Sequence, residues 1–96
     1  MIKSKYKSAI IKVIRKYLPD CNIYLFGSRA TGKAKEYSDI DIALDNFSVI
    51  DRRFLRKITD ELEDTNIPLE IDVVDIYVSS DDLRAKIKKE GILWND

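Results

Sequence analysis

Histidine is absent from this 96-residue sequence, and cysteine occurs only once, at Cys21. Without histidine the chain can build no zinc site with imidazole ligands and has no histidine general base. Any bound metal must therefore be held by oxygen ligands, which favours magnesium or manganese. A single cysteine cannot form an internal disulfide, which fits a reducing cytoplasmic setting.

Net charge and long apolar runs are lacking as well. The 17 lysine and arginine residues balance the 17 aspartate and glutamate residues, so the basic excess typical of a general nucleic-acid-binding protein is missing. No apolar stretch approaches the length of a membrane span, and lysines interrupt the segment where a signal peptide has its apolar core. We expect a single domain over residues 1–96, because this length suits one hydrophobic core.

The spacing of apolar residues predicts helices that alternate with short strands. Helices are predicted over residues 2–18, 28–34 and 49–64, with a last one between a serine cap at 79 or 80 and Gly91. Strands are predicted over residues 23–26, 39–44 and 69–76. This order predicts an α/β (α+β) fold with a small mixed sheet of at least three strands, whose strand order stays open.

Side-chain facing follows from the same periodicity. In the third helix we expect these apolar residues to face the core: Ile50, Phe54, Leu55, Ile58 and Leu62. The closing segment Ile92-Leu93-Trp94 either packs back on the body of the domain or lies in a partner's interface.

A Gly-Ser turn follows the first predicted strand directly. Gly27 lets the backbone come close to a ligand, and Ser28 is predicted to cap a short helix whose free N–H groups point at that ligand. Arg29 and Lys33 could add positive charge for a phosphate. Taken alone, such a turn is more often an ordinary connection, and such cations are more often solvated surface charges.

Two aspartates separated by one isoleucine, Asp39 and Asp41, begin the second predicted strand. Strand alternation places both on one face, where their carboxylates can converge on one cation or on two cations about 3.5–4 Å apart. A buried pair of carboxylates would favour such a metal, because burial and mutual repulsion both disfavour their charged forms. The alternative is two solvent-facing acids on an edge strand, and an isolated Asp-x-Asp is weak evidence against it.

Together the two motifs resemble the signature of the polymerase-β-like nucleotidyltransferase superfamily, in which ten residues separate Gly-Ser from Asp-x-Asp. Here the ten intervening residues run from Arg29 to Ser38. More narrowly, the chain resembles the minimal nucleotidyltransferase (MNT) domain, the small prokaryotic type that pairs with a HEPN-domain protein. The resemblance covers nearly the whole chain, and Gly-Ser-Arg-Ala and Ser-Asp-Ile-Asp are its specific segments.

The resemblance implies a nucleotide site with two magnesium ions, or manganese in their place, and ATP as substrate. It assigns Asp39 and Asp41 to the metals, and Gly27, Ser28 and Arg29 to the nucleotide.

The resemblance also implies a third carboxylate on a neighbouring strand. We choose Asp72, which is central in its predicted strand and would bind the catalytic metal and help to activate the acceptor. Asp75, near the strand end and on the opposite face by parity, is the competitor. Glu70 shares the face of Asp72 and could support it.

The implied reaction moves a nucleoside monophosphate, most often AMP from ATP, to an acceptor hydroxyl, with pyrophosphate leaving. In MNT–HEPN pairs the partner is an all-helical ribonuclease toxin, and the MNT member acts as antitoxin by adenylylating (AMPylating) a tyrosine of it. We therefore expect a hetero-oligomer with a HEPN toxin in the cytoplasm.

Two alternatives stay open at this point. One is a non-catalytic nucleotide-binding antitoxin or subunit that neutralises its partner by contact alone. The other is a nucleotidyltransferase for a small molecule or an RNA end that works with a separate substrate-binding subunit.

Overall fold

A mixed sheet of four strands forms the centre of the computed structural model, which describes residues 2–94. The helices are α1 (Ser4–Tyr17), α2 (Ser28–Thr31), α3 (Arg52–Glu63) and α4 (Asp81–Glu90), and the strands are β1 (Asn22–Phe26), β2 (Ile40–Asp45), β3 (Ile71–Asp75) and β4 (Ile92–Trp94). The strand order is β3-β2-β1-β4; β2 and β3 run parallel, and the other neighbours run antiparallel. This confirms the predicted mixed α/β architecture and adds a fourth strand.

One face of the sheet carries the main hydrophobic core beneath α1 and α3. The alternation predicted for β2 is confirmed, because its residues on this face are completely buried: Ile40, Ile42 and Leu44. Phe54 was expected in this core, but it is 41% exposed, and that expectation was wrong. Because α3 begins only at Arg52, Phe54 lies in its first turn, where its ring contacts Tyr17 with 6.4 Å between ring centroids.

The opposite face is partly covered by α4. Leu83 and Ile87 of this helix pack in a second apolar cluster with Phe26, Ala43 and Val74 of the sheet. The predicted serine cap is confirmed, since the Ser80 hydroxyl accepts a hydrogen bond from the Leu83 amide at 3.2 Å. On this same face Asp72 stays exposed and Asp41 half-buried.

The closing segment packs back on the body of the domain as β4. It pairs antiparallel with β1, placing Trp94 opposite Ile23. Trp94 is only 4% exposed and belongs to the main core, so this side chain is not available to a partner. Among the described residues, no helix combines the length and the apolar character needed to cross a membrane.

The helix after β1 is shorter than predicted, and its N-cap is Gly27 instead of Ser28. Gly27 occupies the cap position, and its carbonyl accepts from the amides of Ala30 and Thr31 at 3.1 and 3.2 Å. Ser28 is therefore the first residue inside α2, and the expectation that its hydroxyl caps the helix was wrong. The helix stops before residue 34 because Gly32 adopts the left-handed conformation, with φ of 77°.

Candidate active site

Sheet register places Asp41 directly beside Asp72. The two residues are partners across the parallel β2–β3 pair, and opposite residues on neighbouring strands point to the same face of a sheet. Two residues further on, Ala43 and Val74 are also partners, and both lie in the apolar cluster under α4. The two aspartates therefore share the α4 face, at the end of the sheet that α4 leaves open.

Asp39 completes this group from the segment just before β2. Burial of Asp41, and then the negative charges of Asp72 and Asp39, raise the pKa of the Asp41 carboxyl, against a smaller lowering by Lys86. Asp39 and Asp72 are both exposed. Asp39 and Asp72 thus both act electrostatically on Asp41, at an accessible surface.

The chemistry of these donors suits a hard divalent cation. Carboxylate oxygens are the preferred ligands of magnesium and manganese, and a cation would offset the repulsion that raises the pKa of Asp41. Over residues 2–94, no three acidic or cysteine side chains already form a closed cation site. The site therefore suits a divalent metal for two reasons: its donors are carboxylate oxygens, and the negative charges of Asp39 and Asp72 act on Asp41.

Gly27 lies against the carboxylate of Asp41. A Cβ atom added to Gly27 would be 2.3 Å from Oδ2 and 3.2 Å from Cγ of Asp41. The Gly27 backbone also has φ of 75° and ψ of −155°, a combination adopted almost only by glycine. The Gly-Ser turn and the Asp-x-Asp strand are therefore packed on each other, with room at position 27 for a glycine alone.

Arg29 is buried, at 9% exposure, and its guanidinium contacts the loop that leads to Asp39. Nε and Nη2 donate to the carbonyl of Ser38 at 3.0 and 2.7 Å, and Nη2 also donates to the carbonyl of Glu36 at 3.2 Å. Lys33, in the same loop, is exposed. Nucleotide binding by Gly27, Ser28 and Arg29 stays a prediction; the contacts of Arg29 that the structure describes are to backbone carbonyls of the loop.

Asp75 has a structural role. It is 2% exposed, its Oδ2 accepts from the Ile50 amide at 2.8 Å, and its Oδ1 accepts from the Tyr77 amide at 2.9 Å. Its partner on β2 is Leu44 in the main core, so it lies on the face away from Asp41. Both of its oxygens stabilise turns, which favours Asp72 as the third acid of the site.

Lys86 is a residue near the site that the sequence interpretation missed. It lies on α4 between Leu83 and Ile87, the two residues that pack on the sheet, and its charge lowers the pKa of Asp41. The signal was present in the sequence. A lysine three positions after one inward residue and one position before the next lies at the edge of the buried stripe.

Comparison with known proteins agrees with this geometry. Residues 8–94 match the family model described as polymerase beta, nucleotidyltransferase. The chain belongs to this nucleotidyltransferase family. It is similar to the probable protein adenylyltransferase MntA of Haemophilus influenzae, with 31% identity over 88 residues that cover 92% of this chain and 77% of the relative.

This nucleotidyltransferase is also similar to solved structures of toxin–antitoxin complexes. A crystal structure of a toxin–antitoxin complex with AMP-PNP matches at a TM-score of 0.77 and 29% identity, over 94% of this chain and 73% of that one. A tri-AMPylated Shewanella oneidensis HEPN toxin in complex with its MNT antitoxin matches at a TM-score of 0.75 and 26% identity, over 99% and 74%. These similarities confirm the resemblance to MntA-type antitoxins of HEPN/MNT pairs.

Proposed function

We propose that this nucleotidyltransferase transfers AMP from ATP to a tyrosine hydroxyl of a partner HEPN toxin and thereby acts as the antitoxin of the pair. One observation carries the proposal: Asp41 lies between Asp72, its partner in the sheet, and Gly27, against which its carboxylate packs. Family membership supports nucleotidyl transfer as the chemistry. The relative named a protein adenylyltransferase, and the complex with an AMPylated toxin, support a protein acceptor.

In this proposal Asp39, Asp41 and Asp72 hold two magnesium ions, with manganese as the alternative. Bound divalent cations would neutralise the triphosphate and the leaving pyrophosphate. The missing side chain of Gly27 leaves room for the carboxylate of Asp41 next to the turn, and Ser28 begins the helix whose first N–H groups have no partner within the helix and would face the nucleotide.

Asp72 is the acid that we assign to the acceptor. It is the more exposed of the facing pair, so its carboxylate is accessible to an incoming hydroxyl. As the tyrosine oxygen bonds to the α-phosphorus, the bond from that phosphorus to the bridging oxygen breaks, pyrophosphate leaves, and Asp72 takes the hydroxyl proton. Asp75 cannot replace it in this role without losing two hydrogen bonds to backbone amides.

The exposed positions of Asp39 and Asp72 leave the site accessible to an acceptor on a second molecule. We therefore propose a hetero-oligomer with the toxin, residues 1–96 as one minimal nucleotidyltransferase domain, and a cytoplasmic location. The buried, unpaired thiol of Cys21 supports that location, since such a thiol fits a reducing compartment.

Label transfer from α-labelled ATP with magnesium tests the function. We expect label on the toxin, and none with the Asp39→Asn/Asp41→Asn variant. The Asp20→Asn/Asp60→Asn variant is the matched control, because it makes the same charge change at two exposed residues elsewhere.

Other outcomes would identify one of the alternatives. If the toxin stays unlabelled with the wild type and is still inhibited by the Asp39→Asn/Asp41→Asn and Asp20→Asn/Asp60→Asn variants, the protein is an antitoxin that acts by contact. Label on RNA or on a small hydroxylated compound, and not on the toxin, would indicate a different acceptor.

A further inference from the structure

Arg29 belongs to the motif that resembles a nucleotide-binding turn, yet its described contacts are to the protein's own backbone. We propose that Arg29 is a positioning residue, which fixes the loop before β2 and through it the place of Asp39. The proposal rests on the proposed function for its consequence in catalysis. Its structural part stands on the contacts of the guanidinium alone.

The contacts converge on the peptide that precedes Asp39. Two nitrogens of Arg29 donate to the Ser38 carbonyl, at 2.7 and 3.0 Å. That carbonyl and the Asp39 amide belong to one planar peptide unit, so holding the oxygen also fixes the plane from which Asp39 continues. Nη2 donates as well to the Glu36 carbonyl at 3.2 Å, which ties a second point of the loop to the same side chain.

Apart from those of Arg29, the described hydrogen bonds link the loop to the body of the domain only at its start, where the Lys33 amide donates to the Ser28 carbonyl at 3.0 Å. Lys33, Lys35 and Glu36 are exposed, and Tyr37 is 80% exposed. A hydrogen bond from the Lys35 amide to the Ser38 hydroxyl, at 2.8 Å, joins two residues of the loop without linking it to the body of the domain. Arg29 supplies that link from α2.

Burial and shape both suit this role. A buried cation is costly unless it is paired or hydrogen-bonded, and three hydrogen bonds to carbonyls of the loop help to offset that cost for Arg29. The planar guanidinium can donate to two carbonyls at fixed angles, whereas a lysine ammonium at the same position offers a single point charge. Arg29→Lys therefore keeps the positive charge and removes the planar group that donates to both carbonyls.

Steady-state kinetics separate positioning from phosphate binding. For Arg29→Lys we expect kcat to fall by about 10²-fold, as for a misplaced catalytic group. The magnesium concentration that gives half the maximal rate should rise, and the KM for ATP should change little. Lys35→Ala, which removes an exposed cation of the same loop, should leave the magnesium dependence unchanged. A tenfold rise in the KM for ATP with unchanged kcat would overturn the proposal, and so would wild-type kinetics in Arg29→Lys.

Amide hydrogen exchange gives a readout that does not depend on catalysis. We expect faster exchange over residues 33–39 in Arg29→Lys than in the wild type or Lys35→Ala, with unchanged exchange in the core strand β1. Equal exchange of this loop in all three proteins would overturn the proposal. If the wild type transfers no AMP but Arg29→Lys still loosens the loop, the proposed function fails while the positioning role stands.

Discussion

Replacement of Gly27 by alanine should damage the fold and the site together. Gly27 has φ of 75° and ψ of −155°, and a non-glycine residue held in that region costs about 1–3 kcal/mol. The new Cβ would also be 2.3 Å from Oδ2 of Asp41, so the carboxylate would have to move. Because 1 kcal/mol shifts the Tm of a domain of this size by about 4–8 °C, we expect Tm to fall by at least about 5 °C, with AMP transfer lost.

Gly32→Ala is the matched control for the backbone part of this effect. Gly32 also has a positive φ, of 77°, but a Cβ there would meet nothing within 4 Å. Its cost should be limited to the left-handed conformation, about 1–2 kcal/mol, with AMP transfer retained in the folded protein.

A double-mutant cycle measured by urea or thermal unfolding isolates the contact itself. In an Asp41→Ala background the nearest atom of residue 41 to the new Cβ would be its own Cβ, at the 3.4 Å found now, an ordinary contact. The destabilisation by Gly27→Ala should therefore shrink in this background, with a coupling free energy of about 0.5–3 kcal/mol. Equal destabilisation in both backgrounds would refute the close packing of Gly27 on Asp41.

Three further predictions concern the acids and the lysine near them. Asp75→Ala should lower the free energy of unfolding by about 1–3 kcal/mol, because a buried amide loses its acceptor, and should leave AMP transfer by the folded protein intact. Asp72→Asn should abolish AMP transfer without lowering the free energy of unfolding. Asp41→Asn should raise Tm by roughly 1–8 °C at neutral pH, since like charges directly opposite in a sheet cost about 0.2–1 kcal/mol. That gain should shrink as the pH falls through the raised pKa of Asp41 in the folded protein and should be absent below 3.8, the usual pKa of aspartate, because only the ionised form is disfavoured by folding. Lys86→Ala should move the acidic limb of the pH–rate profile to higher pH, because Lys86 lowers the pKa of Asp41, whereas Lys89→Ala on the same helix should not.

Each of these has a result that contradicts it. Loss of AMP transfer in well-folded Asp75→Ala would make Asp75 the third acid instead of Asp72. A Tm gain for Asp41→Asn that persists at pH values below 3.8 would show that its cause is not the carboxylate charge. Equal pH–rate profiles for Lys86→Ala and the wild type would remove Lys86 from the site.

Local periodicity was enough to predict which residues of β2 face the core. Its alternation depends only on neighbouring positions, so Ile40 and Ile42 were predicted on one face and Asp41 on the other. The pairing of Asp41 with Asp72 depends on the register between two strands that are separated by α3, and no local pattern encodes it. The three-residue strand β4 was missed because it is too short to show an alternation.

Contacts made by loops were the other part that the sequence did not predict. The positive charge of Arg29 indicated phosphate binding, but its contacts depend on the path of the loop from Gly32 to Ser38. The same holds for the Gly-Ser turn, where the backbone of Gly27 takes the cap position that the hydroxyl of Ser28 was expected to fill. In each case the residue type was informative, and the folded backbone decided its partner.

The central claim is tested most directly by the intact mass of the HEPN toxin after incubation with this protein, ATP and magnesium. The account predicts toxin that carries one or more AMP groups on tyrosine with the wild type, and unmodified toxin with Asp72→Asn. It predicts modified toxin again with Asp75→Asn, measured at a temperature where that variant is folded. Unmodified toxin with a folded, ATP-binding wild type would contradict it.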